Sequence, residues 1–286
     1  MARYAGCTVT RFDVQTPRPK PRINPISVDA PHIVEWIEAR EPRAIANWQD
    51  LGAQEYGRAF TAAGTMGYDV IRDLYDGLIS TLRGGGGEDD YAERMLPVLR
   101  DKGWLPQLDD EALGRRVRLI YDTNLRLSQA VGKWNAAQRT KQYLPYARYS
   151  AVMDRRTRPS HAALHGIVRP IDDYFWSEAW PPCGFQCRCI VTQLTRSQVA
   201  RYGGVTTDEK ATRALAAAHA LSKNAGDFWS FNPGLNAATM ANEQVDRVND
   251  RRLPGSDPAP NRVAAGVAAW AQIFSQVADK LFNPGE

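Results

Sequence analysis

Between Asp109 and Gln142 a single apolar seam runs through the sequence. Leu113, Val117, Ile120, Asn124, Leu127, Val131 and Trp134 follow one another at steps of four, three, four, three, four and three residues. Alternating threes and fours hold seven side chains on one face of an α-helix, the spacing of helices that pack along their length. The seam therefore predicts a long helix lying against a partner helix. Asn124 is its polar member. An amide in such a seam needs a hydrogen-bond partner and fixes register at some cost in stability, within the fold or against another subunit.

Shorter helical signals precede it. A helix is predicted to start near Pro31, with Ile33, Val34 and Ile37 on one face. A longer run is predicted from about Trp48 to Leu82, where Met66, Val70, Leu74, Leu78 and Leu82 form one stripe. Gly84 to Gly87 end it, because four glycines cost too much backbone entropy inside a helix. Glu88, Asp89 and Asp90 then favour the positive end of a new helix through Met95 and Leu99, stopping at Gly103.

The pattern changes after Pro145. Tyr146 to Met153 has strand content, Asp154 to Ser160 reads as a turn, and His161 to His165 is a short helix closed by Gly166. Thr157 or Ser160 is available as that helix's cap. Ile167-Val168 and Cys189 to Val191 read as short strands around a loop holding Tyr174, Phe175, Trp176 and Trp180. Helix resumes near Ser197. Four segments result: an extended Pro-rich arm over 1–27, a helical region over 28–142, a compact α+β module over 143–223, and a loosely packed tail over 224–286 with one helix at Val263 to Phe282. The fold class is mainly α with a small α+β module and extended termini.

Composition limits the function classes. With 43% hydrophobic residues in 286, about 120 side chains are available for burial, which excludes a wholly disordered chain. No apolar run approaches the roughly 18 residues of a membrane span. Met1 to Lys20 lacks the apolar block of a secretory signal, giving the expectation of a protein made and kept in a cytoplasm. The formal charge of +4 is small but unevenly spread. From Lys133 to Arg169 eight bases (Lys133, Arg139, Lys141, Arg148, Arg155, Arg156, Arg158, Arg169) face one acid, Asp154, whereas Asp69 to Asp122 holds twelve acids and eight bases. The basic stretch is a candidate contact for nucleic acid or an acidic protein surface, or simply a solvated face.

Three of the four cysteines lie within seven residues, close in sequence to two histidines. His161 and His165 share a helix face, while Cys187 and Cys189, two apart, project from one side of an extended segment. Nitrogen and sulfur ligands in this number suit a structural zinc ion; free thiols and a disulfide are the alternatives. Catalytic variants fit less well. A zinc deaminase needs His-x-Glu and Pro-Cys-x-x-Cys, but Ala162 and Ala163 follow His161, and Cys187 comes one residue late after Cys183. A Cys nucleophile beside His161 or His165 lacks an orienting third group. Gly84 to Gly87 are followed by acids, which repel phosphate, so they are no Walker loop. Asp172-Asp173 reads as a turn before it reads as a cation site. No catalytic residues are assigned.

Tyr146-Ala-Arg-Tyr-Ser-Ala-Val-Met-Asp154, Arg156-Thr-Arg-Pro-Ser-His161, Leu164-His-Gly166, Asp172-Asp-Tyr-Phe-Trp176, Pro181-Pro182 and Cys187-Arg-Cys189 occur in an order that resembles one family. Arg58-Ala-Phe-Thr-Ala, Lys102-Gly-Trp104 and Tyr121-Asp-Thr-Asn124 extend the likeness upstream, so that it spans about residues 50–200, with a weaker echo at Phe231-Asn-Pro-Gly234. This is the phage Mu F-like family of minor head (head morphogenesis) proteins. The resemblance implies a structural protein of a tailed-phage or prophage head, acting in assembly, DNA packaging or ejection. Its partners would be the portal protein, other head subunits and packaged DNA, and its place the virion after assembly in the host cytoplasm. The alternative is a virion-carried effector or nucleic-acid-processing enzyme. Many relatives carry Cys-x-x-Cys before the Leu-x-Gly element and His-x-x-Cys-Arg-Cys after it, resembling a zinc site. Here Arg158 and His161 stand at the first pair, and the later His is missing, with Cys183 one residue away. The resemblance thus leaves His161, Cys183, Cys187 and Cys189 as candidate zinc ligands, with His165 ranked lower.

Overall fold

In the computed structural model the described residues are 31–47, 55, 59–65, 67–223 and 228–237. The Pro-rich arm over 1–27, Met66 and the tail helix at Val263 to Phe282 lie outside them. The helical region is built from α1 (Pro31–Glu38), α2 (Tyr68–Arg83), α3 (Glu88–Asp101) and α4 (Asp110–Thr140). Two residues, β1 (Glu41–Pro42), pair in parallel with β2 (Ala59–Phe60). That pairing corrects the long helix expected from Trp48. Helix α2 begins at Tyr68, and Ala59 and Phe60 before it are fully buried in an extended pairing beside the core.

The α4 seam forms as the spacing requires: all seven residues from Leu113 to Trp134 are buried. The Asp109 carboxylate caps the helix by accepting from the Ala112 N–H at 2.7 Å. Its N-terminal half meets the buried stripes of α2 (Val70, Leu74, Leu78, Leu82) and α3 (Tyr91, Met95, Leu99) with Ile33 and Ile37 of α1, forming the first core. Arg40, also buried, donates to the Asn124 Oδ1 and to the Ala59 carbonyl, and Asn124 Nδ2 donates to the Ile120 carbonyl at 2.7 Å. Asn124 therefore satisfies its amide within the chain. Arg40 also lies over the Trp36 ring at 4.6 Å. Burial lowers its pKa to about 9, which leaves it charged at neutral pH.

The module follows α4. Its three-stranded antiparallel sheet has β3 (Tyr146–Ser150) between β4 (Val168–Pro170) and β5 (Ile190–Leu194), with Arg148 opposite both Val168 and Thr192. Strand β3 alternates, burying Ala147 and Tyr149. The short helices α5 (Pro159–Ala163) and α6 (Phe175–Ala179) pack against α8 (Asp208–Leu221), and α7 (Arg196–Val199) packs against β5. Buried alanines of α8 (Ala211, Ala214, Ala218) present a smooth face to the module. Neither expected residue caps α5. Its N-cap is Arg158, while Thr157 turns back to bond Asp154 on both sides at 3.2 Å.

A second core gathers Trp134 and Ala137 from the C-terminal half of α4 with Tyr149, Leu164, Trp176 and Trp180. Trp134 and Trp176 both meet the Trp180 ring edge-on, at 4.9 and 5.6 Å between centroids. One long helix thus serves both cores. Residues 228–237, expected in the loose tail, are instead buried over much of their length. Trp229 and Phe231 join the first core and Phe228 the second. Asn232 Nδ2 donates to the Trp176 carbonyl at 3.0 Å, and its Oδ1 accepts from the Gly234 N–H at 2.8 Å. Gly234 lies flat against Trp134, where a Cβ would stand 2.3 Å from the indole, so only glycine fits without a shift.

Candidate metal centre

The residues after α6 and before β5 form a turn that returns to the helix α5. Gln186 adopts a left-handed backbone (φ 53°), which swings the chain so that Cys187 is buried and Arg188 points outward. Arg188 pairs with Asp154 through two contacts at 2.6 and 2.7 Å, and that guanidinium holds the exposed Asp154 carboxyl well below the usual carboxylate range. From the α4 side, Arg126 donates to the Cys187 carbonyl at 3.2 Å. Arg158 donates to the Phe185 carbonyl at 2.8 Å. The turn is thus tied at three carbonyl or carboxylate positions around its thiols.

His161 faces that turn. Its Nε2 meets the Cys183 carbonyl at 3.1 Å. A carbonyl only accepts, so in the neutral ring the proton sits on Nε2 and Nδ1 presents its lone pair. Nδ1 lies 3.6 Å from the Cys187 Sγ and 3.5 Å from the Cys189 Sγ, and the three donor atoms are all within 4.8 Å of one another. Zn–N bonds of about 2.0–2.1 Å and Zn–S bonds of about 2.3 Å at a tetrahedral angle put N and S roughly 3.6 Å apart. The observed spacings fit that ion. The imidazole is oriented through its other nitrogen, as ligating histidines generally are.

Cys183 departs from its expected role. It is not one of the three mutually close donors. What it supplies is its carbonyl, which receives both His161 Nε2 and the Trp229 N–H, the latter at 2.8 Å. Burial pushes the Cys183 thiol up. The Cys189 S–H holds Cys187 below the ordinary thiol value, whereas the Cys187 sulfur and burial raise Cys189. His165 lies apart, its Nδ1 accepting from the Ala151 N–H at 3.1 Å.

Tyr149 was not among the expected residues. Its hydroxyl is fully buried, and burial first and then the three sulfurs raise its pKa. The signal for it was present in the alternation of β3, which turns Ala147 and Tyr149 to the inside. Trp229 and Arg126 carried no signal, since both are distant in sequence from the thiols they support.

The eight bases of the basic stretch differ in their surroundings. Arg169 is held between Asp173 and Asp208, Lys141 bonds Asp172 at 2.8 Å, and Arg148 lies over the Tyr202 ring at 4.8 Å. Arg158 supports the thiol turn. Lys133, Arg139, Arg155 and Arg156 are exposed. Among the described residues no helix is long and apolar enough to cross a membrane.

Fold and site together define a mainly α-helical protein that carries an α+β module with a buried imidazole–thiol cluster. Residues 72–192, from α2 into β5, match the family described as Phage Mu protein F like protein, which bears out the resemblance carried by the motifs. The chain is 32% identical over 181 residues to the putative capsid assembly protein F of Escherichia phage Mu, covering 59% of this chain and 41% of that protein. It is 33% identical over 164 residues to the Mu-like prophage FluMu F protein of Haemophilus influenzae, covering 55% and 40%. An uncharacterized protein of Methanocaldococcus jannaschii is 29% identical over 128 residues, covering 43% and 17%. The matched part of the chain thus spans about two fifths of the length of the two F proteins. No solved structure matches it.

Proposed function

We propose that this chain is a minor head protein that acts in the morphogenesis of a tailed-phage or prophage head, at the inner capsid or portal. The observation that carries the reading is the Mu F-like segment, together with a relative that bears the name of a capsid assembly protein. The cluster is consistent with a structural rather than a catalytic task. His161 and Cys187 are 2% and 4% exposed, whereas Cys189 is partly exposed. A buried cluster that ties α5 to the β5 approach stabilises a docking module without bond-making chemistry.

Zinc held by His161 Nδ1, Cys187 and Cys189 is part of the proposal. The ion would supply cross-linking of two otherwise separate segments. Elemental analysis of the purified chain should give about one zinc per molecule, and a strong chelator should lower the melting temperature. Chains with no bound metal and a chelator-insensitive melt would remove zinc from the proposal. Lys133, Arg139, Arg155 and Arg156 are the bases proposed to meet DNA or acidic portal residues. If they meet DNA, the logarithm of affinity should fall steeply with the logarithm of salt concentration. The head assignment itself is tested by deleting the gene: assembly of normal, infectious particles without this polypeptide would overturn it, as would turnover by the intact protein that is lost in a well-folded Cys187→Ser variant.

A further inference from the structure

The three-stranded sheet has two edges, and the chain treats them differently. On β4 the Val168 N–H donates to the Thr206 Oγ1 at 3.0 Å, and the Val168 carbonyl accepts from the Thr206 N–H at 2.9 Å. That edge is closed by the chain itself. On β3, Tyr149 directs its N–H to Ile167 and its carbonyl to Gly166, both on the β4 side. Main-chain groups alternate along a strand, so Arg148 and Ser150 turn theirs to β5, opposite Thr192 and Ile190. Val191 and Gln193 therefore direct their N–H and carbonyl groups outward from the sheet. Among the described residues nothing bonds those main-chain groups. The strand reads Ile-Val-Thr-Gln-Leu, without the charges, prolines or bulges that protect an open edge. On its outer face Ile190 is 53% exposed and Thr192 is exposed. The other end of that face is covered, because Leu194 packs with Val168 and with Val199 of α7.

We infer that β5 pairs antiparallel with β5 of a second copy of this chain, about a two-fold axis at Thr192. Outward N–H and carbonyl groups on alternate residues accept an extended strand, and the register selects a second copy. The two-fold sets Val191 opposite Gln193 of the second copy and Gln193 opposite its Val191, so every outward group bonds at once. Thr192 then meets its own counterpart in the close, non-hydrogen-bonded pair, an arrangement that suits two threonines. Ile190 comes opposite Leu194 of the second copy. The open apolar end of one outer face thus adjoins the α7-covered end of the other. Arg196 of the second copy comes opposite Arg188, whose charge Asp154 already balances. An edge of five residues is small beside the roughly 1,200–2,000 Å² of stable complexes, so the association is weak and reversible.

The full-length chain is followed by sedimentation equilibrium under reducing conditions, from about 1 μM to about 0.3 mM, the range of weak association. A reversible monomer–dimer equilibrium is expected. Thr192→Lys sets like charges directly opposite on the axis, and Thr192→Glu does so with the other sign; each should weaken the dimer about fivefold or more. Both change an exposed side chain, so the melting temperature of the monomer should stay near that of the parent. An equimolar mixture of the two variants should dimerise again, because Lys then faces Glu. Val191→Pro removes an outward N–H that β3 does not use; it should weaken the dimer about tenfold and serves if a Thr192 variant fails to fold. A chain that stays monomeric throughout, a dimer indifferent to these substitutions, or a Lys–Glu mixture that remains monomeric would each overturn the inference.

Discussion

The two cores are stabilised in different ways although one helix runs through both. In the first, α2, α3 and α4 contribute Leu74, Leu78, Leu99, Leu113 and Val117 at helical spacing, and each helix needs only its own stripe to find the others. In the second, Trp176, Trp180, Cys183 and Phe228 come from loops and short helices with little periodicity of their own. Loops carry backbone groups that no helix satisfies, so this core is threaded with side-chain bonds to carbonyls. Trp176 Nε1 reaches the Pro170 carbonyl at 2.8 Å, and Asn232, His161 and Arg158 each hold another. Aliphatic stripes can slide and repack; an indole bonded to a named carbonyl cannot. The first core is suited to general stability and the second to fixing geometry around the imidazole and thiols.

The comparison is broken most sharply by large-to-small changes. Trp176→Ala should cost about 3–5 kcal/mol and Leu74→Ala about 2–5 kcal/mol in urea unfolding. Because Trp134 and Leu113 lie on the same continuous helix, both variants should still unfold in a single transition. Two separated transitions, with the module melting alone, would show the cores to be independent. Next in size is the buried amide. Asn124→Ala strands part of Arg40 in the first core and should cost about 1–3 kcal/mol, and a change below half of that would show that Arg40 finds other acceptors. The smallest effects are at helix starts. Asp109→Ala at α4 and Thr195→Ala at α7, where Thr195 and Gln198 form a reciprocal cap, should each cost roughly 1 kcal/mol. A markedly larger loss at Thr195 would mean that α7 also supports the sheet.

The two cores were also unequally legible in the sequence. Each stripe residue of α4 and the described ones of α2 announced its burial by spacing alone, and Gly84 marks the end of α2 as its position required. The β1–β2 pairing was hidden because two residues form it and its partners are seventeen or more positions apart. Around the cluster, the Cys-x-Cys spacing and the His161 helix were readable, since both depend on local periodicity. The part played by the Cys183 carbonyl was not: a backbone acceptor leaves no trace in residue identity. Nor was the return of Trp229, which depends on a loop whose path is set by tertiary contacts. The basic stretch shows the reverse failure. Sequence proximity grouped those bases, but the fold sets acids against Lys141 and Arg169.

Among the described residues, the segment 228–237 is the last along the chain to join either core, and this bears on the order in which the protein is made. On the ribosome, every helix and strand from α1 to α8 emerges before Phe228 does, so neither interior can be sealed while synthesis is still passing through that stretch. A nascent or clipped chain stopping short of it would expose Trp134 and the Cys183 carbonyl to solvent.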